Sequence, residues 1–361
     1  MSTFTMLIGL PGCGKSTWAK NCQAVIVSSD TLRQELYGDE NDQTDPDRIF
    51  NEARKRIIMA LNAGKDAVFD ATNINRKQRM RFINDIKSQM RKTVDLKVAA
   101  VWVCVPYHEC LSRNANRERN VPEYVIKKMY LNFCPPGYEE GFDEIKLHFA
   151  ESYYEDYILY NYLEHTDMYY QQNPHHTLTL GGHSRKCADY VAQHSDSCLL
   201  FDIALLHDCG KPFTASYYNS KGEKGDKLHF YQHHCVGAYD SVFYLKNLGY
   251  SDEEAINGAR LIWWHMRPLR EWRDNPKIKD RDLAMLEKSF VDDFNILHEG
   301  DGKHTNTIES CWAILKRGVY GIYHHVSVKH LQEYVDEFCY RLNHRDVDEA
   351  LAHLLGLGIA A

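Results

Sequence analysis

No apolar run in the 361 residues approaches the roughly 18 needed to cross a bilayer; stretches such as Val98 to Val105 are the longest. A membrane-spanning role is therefore not expected, and no membrane partner either. Internal repeats and low-complexity tracts are also missing, which excludes solenoid and fibrous architectures. The 11 cysteines fall into no paired, metal-type spacing, and one of them, Cys13, lies inside a glycine loop. That usage suits a reducing cytoplasm better than a disulfide scaffold. The glycine loop starts within ten residues of Met1, so no leader peptide is expected ahead of it. A strong basic excess is absent as well: the formal charge is −7. The distribution is uneven, however. Between Arg76 and Lys128 there are 13 Lys or Arg against 5 Asp or Glu, a local +8 that leaves −15 elsewhere. A localised polyanion site and ordinary solvated helix faces account for this equally well.

What is present comes in two textures. Short apolar strands are expected at Phe4 to Ile8, Ala24 to Val27, Asp66 to Phe69 and Leu96 to Val105, with helices from Ser16, over 46–63 and over 76–92. Strands alternating with helices imply a parallel sheet with crossovers, hence an α/β domain over residues 1–142. Pro135-Pro136-Gly137 breaks the alternation, and residues 143–170 read as a helical connector. Its tyrosines at 153, 154, 157, 160 and 162 suit packing between domains. From about residue 174 strand signals vanish and histidines accumulate, which predicts an all-α domain over 171–302, followed by a mainly helical tail over 303–361.

Gly9-Leu10-Pro11-Gly12-Cys13-Gly14-Lys15-Ser16 fits the Walker A pattern in full, after a strand and at the start of a helix. Backbone N–H groups of Gly9, Gly12, Cys13 and Gly14 would cradle phosphate oxygens, and Lys15 would reach the β- and γ-phosphates of ATP. The Ser16 hydroxyl would hold Mg²⁺, with Thr17 beside it. Asp30 and Arg33 lie one helical turn apart just past the second strand, where open parallel sheets bind ligands. A carboxylate there can accept the proton of an attacking hydroxyl, and an arginine can hold a nearby phosphate. Asp30 reads equally well as a helix cap. Asp70, at the end of Val68-Phe69-Asp70-Ala71-Thr72-Asn73, reads as a Walker B acid or acceptor ligand. Arg113 and Arg117 are four apart and so would share a helix face, either as a phosphate-clamping lid or as an exposed basic surface.

The ordered set GLPGCGKST, SSDTLRQ, FDATN and RNANRERNVP resembles the kinase domain of the phage-type polynucleotide 5′-kinases over about 140 residues. The resemblance implies a P-loop α/β fold and transfer of the ATP γ-phosphate to a 5′-hydroxyl end of RNA or DNA. Asp30 would be the general base, Arg33 the contact to the acceptor's 3′-phosphate, and Arg117 the lid residue. Asp70 would line the acceptor site with Asn73, and Arg113 would attend the nucleotide. Small-molecule kinases share much of this scaffold, so the acceptor class stays open.

In the second half, His207-Asp208 follows the apolar run Phe201 to Leu206 and precedes Gly210-Lys211-Pro212. The pair could bind one divalent metal, and imidazole with carboxylate favours Mn²⁺, Mg²⁺, Fe²⁺ or Ni²⁺ over a thiolate-type zinc site. Lys211, one turn from Asp208, could hold a phosphate beside it. Asn173-Pro174-His175-His176, His183, ALLHDCGKP, Phe230-Tyr231-Gln232-His233-His234 and His265 together resemble the HD phosphohydrolase superfamily. That resemblance implies His183, His207, Asp208 and Asp301 as metal ligands, and His233 and His265 at a second metal or the substrate phosphate. The metal would activate water against a phosphoester, with Asp208 and Lys211 in catalysis. HD domains fused to such kinases imply healing of broken ends, the HD part removing a 3′ or 2′,3′-cyclic phosphate. A small-molecule kinase joined to a nucleotidase is the other enzymatic reading.

Residues 304–345 resemble the C-terminal end of DDE-class insertion-sequence transposases, with Glu309 matching the last catalytic acid and Lys316 seven residues beyond it. The upstream aspartates of that class have no counterpart, so a fusion remnant without transposase activity is expected. A transposase-derived DNA-binding protein with decayed enzyme domains is the third reading.

Overall fold

The computed structural model describes residues 1–91, 93–117, 120–172, 177–273 and 275–302. Five strands form one parallel sheet: β1 (Ser2–Ile8), β2 (Val25–Ser28), β3 (Ala67–Asp70), β4 (Leu96–Cys104) and β5 (Glu144–Phe149). Their order is β2-β3-β1-β4-β5. The central strands are nearly continuous apolar runs because both faces are covered, with Phe4, Met6, Val98 and Trp102 fully buried. The covering helices are α1 (Lys15–Lys20), α2 (Ser29–Tyr37), α3 (Pro46–Asn62), α4 (Arg76–Gln89), α5 (Tyr107–Ala115) and α6 (Glu123–Tyr130). Asp45, Ser28 and Asn75 cap three of them by accepting from Arg48 N, Thr31 N and Gln78 N. Phe82 of α4 stacks on Phe69 of β3 at 4.6 Å and 3°, closing one face.

β5 corrects the expectation of a helical connector over 143–170. Glu144–Phe149 pairs in register with Ala99–Cys104 and completes the edge of the sheet. Alternating burial along EIKLHF marks a strand with one face covered, a period-2 signal in a segment whose tyrosines suggested a helix. The helix comes later, as α7 (Leu159–Asp167).

The second half is mainly helical: α8 (Leu180–His194), α9 (Cys198–Leu206), α10 (Lys211–Thr214), α11 (His233–Asn247), α12 (Asp252–Trp264), α13 (Pro276–Ala284) and α14 (Lys288–Gly302). It is not all-α, since β6 (Ser216–Tyr218) and β7 (Lys224–His229) form an antiparallel hairpin between α10 and α11. Hydrophobic packing is continuous with that of the sheet, and Met1–Asp301 is one compact unit. At the junction Tyr239 of α11 packs its ring on Phe133 (4.8 Å) and donates its hydroxyl to Val105 O at 2.6 Å. Tyr130 donates to Asp240 at 2.6 Å, and Arg260 pairs with Glu139 at 2.7 Å. Of the five connector tyrosines, Tyr154, Tyr157 and Tyr162 are buried against α11, while Tyr153 and Tyr160 are exposed. The tail from 303, with Glu309 and Lys316, lies outside the described residues, as do Asn173, Pro174, His175 and His176.

Candidate functional site

Two clusters of chemistry-bearing residues occupy this unit. The first is the loop between β1 and α1, at the C-terminal edge of the sheet. Gly12 has φ +86, and a Cβ there would stand 2.3 Å from Cys110 O of α5. Only glycine lets the loop lie this close to that helix. Gly14, φ +98, is the left-handed residue from which α1 begins. Lys15 is buried, its ammonium donating to Leu10 O at 2.8 Å and Gly9 O at 3.1 Å, while Ser16 and Thr17 are exposed at the helix start.

Asp30 sits in the first turn of α2, where its charge also suits the helix dipole. Its carboxylate accepts from Arg33 at 2.8 Å. The cap of α2 is Ser28, so the capping alternative for Asp30 does not hold. Asp70 is buried at the end of β3, in register with Ser28, so β2 and β3 deliver Asp30 and Asp70 to neighbouring strand ends. Asn73 adopts φ +46 and donates its amide to Leu7 O at 2.7 Å, tying the β3–α4 loop to β1. A groove of about 110 Å³, lined by Asp47, Phe50, Arg54, Asn73, Gln78 and Arg81, opens beside it.

The basic pair is corrected. α5 ends at Ala115, so Arg113 and Arg117 share no helix face. Arg113 pairs with Glu109, and Arg117 is exposed beyond the helix end. What organises this segment is Asn114, which sequence reasoning missed. It is buried, donates to Asn120 Oδ1 (2.6 Å) and Val121 O (2.8 Å), and accepts from Val121 N at 3.0 Å. Arg79 was missed too. Fully buried, it pairs with Glu140 at 2.6 Å and donates to Asn73 O and Cys134 O, both at 2.9 Å. It thereby locks the β3–α4 loop onto the Pro135-Pro136-Gly137 turn. A polar residue buried by distant partners leaves no local pattern to read.

The second cluster is built from helix ends. His183 lies in the first turn of α8, whose cap is Thr179, and His207-Asp208 follows the apolar α9. His233 starts α11, His265 follows α12, and Asp301 is in the last turn of α14. Gly210 permits this convergence, because a Cβ there would meet His233 O at 2.1 Å and Gly237 N at 2.6 Å. Two groups of potential ligands share one carboxylate: His183, His207 and Asp208, and Asp208, His233 and His265, all buried. Asp208 Oδ2 is 3.4 Å from both His183 and His207 Nε2, and Oδ1 is 3.3 Å from His233 and 3.9 Å from His265 Nε2. Asp301 Oδ1 joins at 3.1 Å from His183 and 3.5 Å from His207. All the sequence-predicted ligands except Ser16, which belongs to the phosphate loop, therefore meet.

Backbone carbonyls orient the rings. Nδ1 of His207, His233 and His265 faces Ala204 O (2.7 Å), Phe230 O (2.7 Å) and Ile262 O (2.5 Å), so each Nδ1 is the donor and each Nε2 points inward. Burial pushes His233 down to about 3 and His265 down to about 4, leaving both neutral. Their Nε2 lone pairs then face one another at 3.2 Å, an arrangement a shared cation relieves. At His207, burial also lowers the pKa, but Asp208 and Asp301 outweigh it and raise it to about 10. Imidazole and carboxylate donors around one bridging carboxylate fit divalent ions such as Mn²⁺, Fe²⁺ or Ni²⁺. Lys211, expected to reach a phosphate, has its buried ammonium on Asp208 Oδ2 (2.6 Å) and Gln171 Oε1 (2.8 Å). Gln171 is a further residue with no sequence signal.

Comparison with known proteins matches two segments of the chain. Residues 4–136 match the AAA domain family, and residues 285–343 match the ISXO2-like transposase domain. The transposase-like match begins ahead of α14 and so takes in Asp301. A seryl-tRNA(Sec) kinase of Methanococcus maripaludis is 26% identical over 148 residues, 38% of this chain and 55% of that protein. The chain thus spans about half the length of this curated relative. Among solved structures, a fungal RNA kinase shares 17% identity over 40% of this chain and 74% of its own, with a TM-score of 0.31. A gluconokinase from Sinorhizobium meliloti shares 14% over 41% and 83%, with a TM-score of 0.30. The N-terminal part is a P-loop kinase-like α/β domain, which implies ATP and Mg²⁺. Among the described residues no helix is long and apolar enough to cross a membrane.

Proposed function

We propose that the protein phosphorylates 5′-hydroxyl polynucleotide ends with ATP and removes terminal 3′ or 2′,3′-cyclic phosphates at an HD-type metal centre. The observation that carries this reading is the presence, in one compact unit, of a complete phosphate loop and two histidine–aspartate groups sharing Asp208. In the kinase step, a 5′-oxygen attacks the γ-phosphorus, its proton passes to Asp30, and the bond to the β-phosphate oxygen breaks to leave ADP. Arg33, paired with Asp30 at 2.8 Å, would turn to the acceptor's phosphate beside that base. Lys15, Arg113 and Arg117 serve the transferring phosphoryl. RNA as the carrier of the accepting hydroxyl draws support from the relative named as a seryl-tRNA kinase.

In the second centre His183, His207, Asp208 and Asp301 would hold one divalent ion, and Asp208, His233 and His265 a second. Such ions supply the Lewis acidity that makes water nucleophilic at neutral pH. Water adds at phosphorus, one ester P–O bond breaks, and the leaving oxygen takes a proton to become a hydroxyl; a 3′-phosphate needs one such round, and a 2′,3′-cyclic phosphate two, opening first to a monoester. Lys211 fixes the shared carboxylate. The test is a 5′-hydroxyl oligonucleotide ending in a 2′,3′-cyclic phosphate, given with γ-labelled ATP, Mg²⁺ and Mn²⁺. Label should appear at the 5′ end as phosphate leaves the 3′ end, and Asp30→Asn should abolish only the first event. Full 5′ labelling by Asp30→Asn refutes Asp30 as the base, and no 5′ label from the parent protein refutes the kinase assignment.

A further inference from the structure

The hairpin between the two halves of the metal cluster has no part in the mechanism above, yet both its ends are anchored there. Lys211, just before β6, and His233, just after β7, contact the same Asp208 carboxylate at 2.6 and 3.3 Å. Phe230 puts its ring 5.6 Å from the Lys211 ammonium. The preceding segment belongs to the same structure: Gln171 holds Lys211, and Gln172 accepts from Leu228 N at 3.2 Å and from the Tyr217 hydroxyl at 2.7 Å.

Large rings stand in solvent along this hairpin and its flank. Tyr170, Tyr217, Tyr218 and Tyr231 are 67%, 38%, 53% and 48% exposed. Tyr231 lies parallel to His229, centroids 5.3 Å apart at 6°, which pre-orders a flat aromatic face. Lys221, Lys224 and Lys227 are exposed on this hairpin with Glu223 and Asp226, three cations against two anions for a net +1. Exposed rings interleaved with lysines suit unpaired nucleotides, whose bases stack without sequence preference while the backbone is drawn by charge. The six residues of β7 extend about 20 Å at ~3.3 Å per residue, more than one mononucleotide covers.

We propose that the β6–β7 hairpin is a stacking platform that receives the single-stranded nucleotides leading to the terminal phosphate hydrolysed at the metal cluster. The proposal rests on the hydrolase reading above and names its substrate as a polymer end rather than a free nucleotide.

The test uses the full chain with Mn²⁺ and no ATP, on a 5′-phosphorylated, 3′-phosphate-terminated ten-nucleotide RNA, with p-nitrophenyl phosphate as the small probe. Tyr217→Ala/Tyr218→Ala/Tyr231→Ala should lose about tenfold in kcat/KM per stacking ring on the RNA, chiefly through KM. Its turnover of p-nitrophenyl phosphate should stay at the parent level. The matching triple phenylalanine variant should keep RNA activity, since it retains the rings. Unchanged RNA kinetics in the alanine variant overturns the platform and leaves the hydrolase reading standing, and that is also the result if a protein covers these rings. Equal loss on both substrates overturns it as well. If the parent protein hydrolyses neither substrate, the hydrolase reading falls by itself. Photo-cross-linking of a 4-thiouridine RNA then decides the platform: adducts on residues 217–231 support it, and adducts confined to residues 1–142 refute it.

Discussion

Asp208→Asn keeps the side chain's volume and removes its charge, and the geometry around that carboxylate sets the cost. It faces Lys211 at 2.6 Å, His183 and His207 at 3.4 Å, His233 at 3.3 Å and His265 at 3.9 Å. In chelator-treated protein the substitution leaves the buried Lys211 ammonium without its anionic partner, with only neutral amide oxygens as acceptors. Breaking one side of a buried ion pair costs about 3–5 kcal/mol. At about 2 °C per kcal/mol for a unit of this size, melting should fall by roughly 6–10 °C. Metal acts in the opposite direction on the parent protein. An ion at 100 times its Kd stabilises by about 2.7 kcal/mol, so two filled sites should raise melting by about 10 °C. Asp208→Asn should erase that rise, because both groups lose their shared anionic ligand. Asp208→Asn/Lys211→Met separates the two effects: with both charges gone, metal-free melting should return to within about 2 °C of the parent, while the response to Mn²⁺ stays absent. Differential scanning fluorimetry with EDTA and with Mn²⁺ reads all three proteins. If Asp208→Asn melts like the parent in EDTA and still gains from Mn²⁺, Asp208 is not the hub of a metal centre.

The same structure implies two further outcomes. Gly12→Ala should lower melting and ATP affinity more than Gly14→Ala, since both residues have positive φ but only Gly12 would press a Cβ on Cys110 O; equal effects would refute the close approach of loop and α5. In metal-free protein, His233 and His265 take protons when unfolded near pH 6.5 but when folded only near 3 and 4. The unfolded state therefore binds more protons below pH 6.5, and stability falls as pH drops from 7 to 5, by about 2 kcal/mol for each histidine. Urea denaturation of His233→Gln/His265→Gln should show a loss smaller by about 4 kcal/mol, and an unaltered pH dependence in that variant would exclude buried, neutral histidines.

Legibility tracked the range of the interactions involved. The phosphate loop could be read from nine consecutive residues because its function is a backbone shape, and glycine spacing encodes that shape directly. His183, His207, Asp208, His233, His265 and Asp301 could be chosen because the motifs around them resemble the HD superfamily, and His207-Asp208 also because the pair ends an apolar run. Asn114, Arg79 and Gln171 could not. Each is polar, buried and held by partners that no local pattern announces, such as Glu140 for Arg79 and Lys211 for Gln171. Arg113 and Arg117 show the converse failure. Spacing of four means a shared face only while the helix lasts, and α5 stops at Ala115, before it reaches Arg117.

Sequence alone determined the alternation of strand and helix over the first half and the phosphate-loop motif, because these depend on local periodicity and glycine spacing, while the histidine and aspartate donors were nominated by the resemblance to the HD superfamily. Tertiary structure decided that Asp208 serves two groups at once and that β5 closes the sheet. It also decided that α14, inside the transposase-like match, delivers Asp301 to His183. Phe290, Phe294 and Leu297 bury one face of that helix, and Asp301 continues that face four residues beyond Leu297. A helix docks by its apolar stripe whatever its ancestry, and only the docked position tells which carboxylate reaches the histidines.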